Sequence, residues 1–276
     1  MYGRILQPSR HRSSQLVKMK RPFLLLAVFA AGLCALPFSV LPKEERPLIV
    51  LDPGHTPPVG GALGARGIYE FVYNDRFAAE LKARLERHGW KVMLTRKPDE
   101  TVTLEERADL ANRMRADLFL AIHHDSARPQ FISRFTGRHG VEAQSTTEPF
   151  RGYSLYVSSL NPRYEDSFRF ARLLARRILP LGRPPALYHA DPVRGENRPL
   201  LDARLGIYLY DRLAVLRLTR VPAVLLEVGV IPDEVDEAWV DNERNRKAME
   251  IAVVRAVLDY WRTSGGEDVM NREEAR

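Results

Sequence analysis

The stretch PLIVLDPGH, Pro47 to His55, decides how this chain is read. Five residues, Pro47 to Leu51, form an unbroken apolar run with no polar alternation. A strand of that kind is buried on both faces, as in a parallel sheet. The run stops at Asp52-Pro53-Gly54, residues that favour a tight turn, and the turn delivers His55. Neither a hairpin nor an apolar core requires a histidine there, so His55 is a candidate ligand or catalyst.

The same pattern recurs downstream. "NDRFAAELKARLERHG" places Phe77, Leu81 and Leu85 at helical spacing and stops at Gly89. "WKVMLTR" reads as a strand. "TLEERADLANRMRA" reads as a helix, with Thr103 and Glu106 spaced as a capping box. "DLFLAIHHD" is a third strand that again ends in histidine, "YSLYVSS" a fourth, and "VPAVLLEVGVI" the last. Helices are expected from Phe168 to Leu179 and over "ERNRKAMEIAVVRAVLDYWR". Alternating strands and helices imply an α/β fold: a single domain, residues 43–263, with a mostly parallel central sheet flanked by helices. Two irregular stretches, 126–152 and 181–200, are long enough for lids or binding loops. Residues 264–276 read as a charged, flexible tail.

Composition bounds the class. The 276 residues carry 45% hydrophobic and 28% charged side chains, ordinary for a folded protein. The net charge of +7 favours anionic partners. Its basic residues alternate with acidic ones and no nucleic-acid motif accompanies them, so nucleic acid is excluded as a partner. Residues 1–42 read as a basic N-terminus followed by "PFLLLAVFAAGLCALPFSVLP", uncharged from Pro22 to Pro42. That is the pattern of a signal peptide, long enough to remain as a membrane anchor through residues 22–42. Met19, beside Lys20 and Arg21, is an alternative start. The expected location is outside the cytoplasm: periplasmic or wall-associated, free or anchored to the inner membrane. The sole cysteine, Cys34, lies in this leader. The expected domain therefore has no disulfide, no thiol nucleophile and no thiolate ligand.

In open parallel sheets, functional groups gather beyond the carboxyl ends of the strands, where the active site is expected. Three strand ends qualify here: His55 on the first, His123 and His124 on the third, and Glu227 on the last, where an acid interrupts apolar neighbours. The loop "TPPVGGALGARGIYEF" leads to Glu70, at a loop-to-helix junction from which it could reach His55. Two histidines and a carboxylate form a common catalytic zinc set, with a further carboxylate left as general base. Asp52 is a candidate for orienting a ligand histidine. His124, by strand alternation, points away from the metal. Arg66, Arg96 and Arg217 are candidates for binding a substrate carboxylate.

"IVLDPGH", "YEFVYN", "LTR", "LEERADLANRMRADLFLAIHHDSA" and "VPAVLLEVGVI", in that order over roughly residues 47–262, resemble the zinc-dependent N-acetylmuramoyl-L-alanine amidases of type 3. The resemblance implies Zn2+ held by His55, Glu70 and His123, with Glu227 as catalytic base. It also implies a peptidoglycan substrate cut between N-acetylmuramic acid and the L-alanine of the stem peptide. The chain departs from the family at "TPPVGGALG" and "GVIPDE", loops expected to line the substrate groove. Some relatives carry an inserted helix that blocks the zinc until a protein activator removes it; here Glu148 or Glu196 could supply a blocking carboxylate, and a groove rim is the plainer reading. Two other functions fit the same residues: another exported zinc amidohydrolase (a carboxypeptidase or deacetylase), or an inactive wall-binding regulator.

Overall fold

A computed structural model describes residues 47–137 and 140–274, with side chains through residue 263. The expected leader, with its 22–42 segment and Cys34, lies outside the described residues. Among the described residues no helix is long and apolar enough to cross a membrane.

The elements run β1 (Leu48–Pro53), α1 (Glu70–Arg87), β2 (Lys91–Leu94), α2 (Leu104–Arg113), β3 (Leu118–Asp125), β4 (Ile132–Thr136), β5 (Glu142–Thr146) and β6 (Ser154–Val157). They continue α3 (Tyr164–Ile178), β7 (Leu200–Asp202), β8 (Ile207–Leu209), α4 (Ala214–Leu218), β9 (Ala223–Val230), α5 (Glu234–Asp241) and α6 (Glu243–Glu274). Seven strands form one sheet in the order β2-β1-β3-β9-β6-β8-β7. The pairs β1–β2, β1–β3, β3–β9 and β6–β8 are parallel, whereas β6–β9 and β7–β8 are antiparallel.

Strand alternation explains the apolar runs. Ile49 and Leu51 of β1, Leu118, Leu120 and Ile122 of β3, and Val224, Leu226 and Val228 of β9 face one layer, with Phe77 and Leu81 of α1, Phe170 and Leu174 of α3, and Met249 and Val253 of α6. Val50, Phe119, Ala121 and Leu225 face the other, against Ala111 of α2 and Val215 and Leu216 of α4. Both faces are covered, so neither parity can be polar. Burying each large apolar side chain stabilises the fold by roughly 1.5–3 kcal/mol. The crossover helices α1 and α2 lie on opposite faces, and β1 neighbours both β2 and β3. That arrangement opens a crevice beyond the carboxyl ends of β1 and β3.

Helix ends follow local chemistry. Thr103 accepts from Glu106 N while Glu106 Oε2 accepts from Thr103 N, the expected capping box. α1 ends before Gly89, whose φ of 87° suits glycine. α1 begins at Glu70, the expected loop-to-helix junction, one turn before the quoted run that opens at Asn74, with Tyr69 supplying the extended N-cap backbone. Two expectations need adjustment. The stretch expected to be irregular, 126–152, contains the antiparallel hairpin β4–β5. β4 is mostly exposed and β5 mostly polar, so neither carries an unbroken apolar run. The backbone of α6 continues from Thr263 to Glu274, where the sequence suggests a flexible tail; a helix nucleated on its packed segment propagates at little further cost.

Candidate metal centre

The carboxyl ends of three adjacent strands meet in the crevice. β1 leads through Gly54 to His55, β3 carries His123, and β9 carries Glu227, which pairs in register with His123. Register partners on parallel strands point to the same face. Glu70, the first residue of α1, completes the group: its Oε2 lies 3.1 Å from His55 Nε2 and its Oε1 2.9 Å from His123 Nδ1. One ligand atom from each of His55, Glu70 and His123 falls within 4.8 Å of the others.

The backbone around these groups is specialised. His55 has φ 62°, a left-handed conformation uncommon outside glycine. Arg107 holds it there, donating to His55 O (2.9 Å) and Pro53 O (2.7 Å). Asp52 in turn binds Arg107 (2.6 Å) and accepts from Thr95 Oγ1 (2.5 Å). Asp52 thus does not orient a ligand histidine directly, as the sequence suggested. Its side chain is engaged by α2 and the β2 end, and it stabilises the turn through Arg107. Gly54 and Gly61 leave the space that the ligands need: a Cβ at Gly54 would sit 2.2 Å from the His123 ring, and one at Gly61 2.4 Å from Glu70 Oε2.

Glu70 is gripped from several sides. Its Oε2 accepts from Ala62 N (3.0 Å), and its Oε1 from Asn74 Nδ2 (3.2 Å) and His124 N (3.2 Å). Burial disfavours its charge, yet the bonds and charges of His123 and His55 outweigh this and hold the carboxyl well below the usual range. Burial likewise opposes charge on His55, but Glu70 wins and raises it. The side chain of His124 points away from the three donors. It is 2% exposed, bonds Asn74 Oδ1 through Nδ1 (2.8 Å), and is pushed by burial down to about 3. Asn74, one helical turn after Glu70, links His124, Glu70 and Gly54 O (3.0 Å).

Glu227 differs from Glu70. Burial, followed by the negative charges of Asp125 and Glu70, raises its carboxyl well above the usual range. Its Oε2 is buried with no hydrogen-bond partner. Two imidazoles and a carboxylate, converging on bare glycines and backed by fixed hydrogen bonds, suit a divalent metal of borderline softness. An unpartnered carboxylate oxygen beside them suits proton transfer.

A second network lies behind Glu227 and was not anticipated. His189 Nε2 lies 2.6 Å from Asp125 Oδ2, and His189 Nδ1 lies 2.9 Å from Glu196 Oε2. Arg198 pairs with Glu196, and Tyr188 donates to Asp125 (2.5 Å). These partners come from a loop folded back over the sheet edge. No sequence spacing signals that return, although Asn74, four residues after Glu70, was within reach of helical periodicity. Glu196 is therefore held by His189 and Arg198, and Glu148 is exposed on the surface; neither bonds the three donors. Of the arginines named for a substrate carboxylate, two are paired elsewhere and the third is exposed on a helix. Arg66 pairs with Glu237 and Asp241, buried Arg96 pairs with Asp75, and Arg217 is exposed on α4, which packs beside α2.

Comparison with known proteins places this architecture. Residues 49–259 match the family described as N-acetylmuramoyl-L-alanine amidase. The probable cell wall amidase LytH of Staphylococcus saprophyticus is 29% identical over 215 residues, covering 77% of this chain and 58% of that protein. Its Staphylococcus aureus counterpart is 29% identical over 226 residues, covering 79% and 61%. The chain thus spans about three fifths of the length of these curated relatives. Among solved structures, the catalytic domain of CwlV from Bacillus (Paenibacillus) polymyxa shares the fold at a TM-score of 0.57, with 23% identity over 78% of this chain and 98% of that one. Family membership rests on a match that takes in β1 through the first half of α6 and every residue of the candidate metal cluster: the chain belongs to the N-acetylmuramoyl-L-alanine amidase family.

Proposed function

We propose that this domain is a zinc hydrolase that cleaves peptidoglycan at the amide joining the lactyl group of N-acetylmuramic acid to the L-alanine of the stem peptide. The observation that carries the reading is the His55–Glu70–His123 cluster with Glu227 in register beside it. Zinc is the metal that best fits a His2Glu set, and when bound it supplies polarisation of the scissile carbonyl and acidification of a water molecule.

The protein's own groups supply the rest. Ala62 N, Asn74 and His124 N fix the Glu70 carboxylate, and Arg107 fixes the turn that presents His55. Glu227 Oε2, free of other partners, accepts the proton of the attacking water and returns it to the leaving nitrogen of alanine. Burial and the charges of Asp125 and Glu70 raise its proton affinity, the direction that strengthens it as a base. Water adds across the amide: the lactyl side leaves as a carboxylic acid and the stem peptide as a free amine. Residues 22–42 would export the domain or anchor it beside the wall, where the polymer lies.

Digestion of purified peptidoglycan, with the new ends identified by mass spectrometry, tests this function. Intact stem peptides beginning with free L-alanine, together with glycan retaining its lactyl carboxylate, are expected. Release of single amino acids would mark a carboxypeptidase, release of acetate would mark a deacetylase, and the amidase reading would be abandoned.

A further inference from the structure

A cleft of about 710 Å3 opens beside the metal cluster. One wall is Gly61, Ala62, Leu63 and Tyr69, the loop whose Ala62 N holds Glu70. Its base is Ser126, Ala127 and Pro129, directly after β3. The opposite wall is the β4–β5 hairpin. In the hairpin register, Ile132 faces Thr146, Arg134 faces Gln144 and Thr136 faces Glu142, so these residues share one face. Of that face, Ile132, Arg134, Thr136, Glu142 and Gln144 line the cleft, and the Phe135–Ala143 pair of the other face reaches it as well. The volume is that of a small-ligand site, and the cleft adjoins the ligand residues through Gly61, which abuts Glu70 and His55, and Ala62, which bonds Glu70.

Arg134 stands out within it. Among the described residues no carboxylate lies within ion-pair distance of its guanidinium. Arg66, Arg128 and Arg151, on segments around the same cleft, are each paired with an acid. Glu142 on the same face is only a diagonal neighbour of Arg134, and such positions stand about 7–8 Å apart. Exposed on the wall of this cleft, the Arg134 guanidinium is free to meet an anion that arrives with the substrate. The guanidinium fork suits a carboxylate, which it can bind through two parallel hydrogen bonds.

We propose that Arg134 binds a carboxylate of the stem peptide and so makes the enzyme select stems whose second residue carries a free α-carboxylate. This rests on the amidase reading. If L-alanine sits at the Gly61–Ala62 wall, the next residue extends toward the hairpin. The second stem residue is linked onward through its side-chain carboxyl, which leaves its α-carboxylate pendant. Where that group is amidated the negative charge is gone, and Arg134 loses its partner.

The test uses two muramoyl peptides that differ only at the second residue, D-glutamate against D-isoglutamine. Wild-type kcat/KM is expected to be about 10- to 100-fold higher for the D-glutamate substrate, the range of a charge-assisted pair in a partly open cleft. Arg134→Ala is expected to bring the ratio close to unity, and Arg134→Lys to leave an intermediate ratio, with zinc content and circular dichroism unchanged in both. A wild type indifferent to the substitution, or an Arg134→Ala enzyme that keeps the full preference, overturns the proposal. Binding of the same pair to Glu227→Gln reads the contact without turnover. A binding preference that Arg134→Ala removes, where the zinc-loaded enzyme with Glu227 intact cuts neither substrate, supports the Arg134 contact and refutes the amidase reading. Turnover without any preference refutes the Arg134 contact alone.

Discussion

Gly54→Ala isolates the metal cluster from the fold. Gly54 lies outside the left-handed region, so alanine meets no backbone penalty there. The added Cβ would stand 2.2 Å from both Cε1 and Nε2 of His123, whereas ordinary contact begins at 3.4 Å. A retreat of about 1.2 Å is needed, the difference of those distances. The backbone is poorly placed to give way, because Gly54 O accepts from Asn74 (3.0 Å) and from buried Arg96 (3.4 Å). The imidazole must therefore move, and a metal site tolerates only about 0.2 Å of error in its ligand distances. Zinc affinity should fall by at least about 100-fold, which removes about 2.7 kcal/mol of zinc-dependent stabilisation at fixed zinc. For a domain of this size that corresponds to about 5–11 °C in Tm. In the presence of a chelator the two proteins should melt within a few degrees of each other, since alanine also reduces the entropy of the unfolded chain. The assay is thermal unfolding with and without zinc, paired with chelator competition. A Gly54→Ala protein that binds zinc as tightly as wild type and gains the same Tm would show that the His123 position described here is not the metal-binding one.

Further expectations concern the supporting residues. Arg107→Ala removes one side of a buried pair with Asp52 and releases the carbonyls of Pro53 and His55; chemical denaturation should show a loss of about 3–5 kcal/mol, and zinc affinity should drop about 10- to 100-fold. Unchanged zinc affinity would mean the turn holds its shape unaided. His124 ties the stability of the metal-free domain to pH. Its proton affinity is depressed in the fold, to about 3 from 6.5, so below pH 6.5 the unfolded chain binds the extra proton and stability falls. The loss is about 1.4 kcal/mol per pH unit and about 4 kcal/mol by pH 3. Urea unfolding at pH 7, 6 and 5 should show that slope shrink in His124→Gln; identical slopes would remove His124 as its source. Glu196→Ala should not raise basal hydrolysis, because Glu196 is bound to His189 and Arg198 rather than to the metal cluster. A several-fold increase would instead make that carboxylate an inhibitor.

What the sequence made legible follows from burial. β1, β3 and β9 lie in the middle of a sheet covered on both faces, so their apolar runs are unmistakable and the polar residues at their ends stand out. That was enough to expect the α/β sheet and the residues that now converge at its carboxyl edge. The hairpin is not legible because its strands ISRFT and EAQST form a separate two-stranded sheet with few apolar residues, so neither shows the apolar run of a strand in the main sheet. The partner of Asp52 is not legible, because proximity in sequence to His55 says nothing of Arg107, which reaches across from α2. The Asp125–His189–Glu196–Arg198 network joins β3 to a loop more than 60 residues later, a return that only tertiary packing determines.

In the proposed mechanism Glu227 acts as a base beside, and not within, the metal shell of a peptidoglycan amidase. The most direct test is Glu227→Gln, assayed for release of stem peptides from purified sacculi with zinc content measured on the same preparation. Zinc equal to wild type with hydrolysis slowed by about 100- to 10,000-fold is the predicted result. Hydrolysis near the wild-type rate, or loss of zinc together with activity, would contradict it.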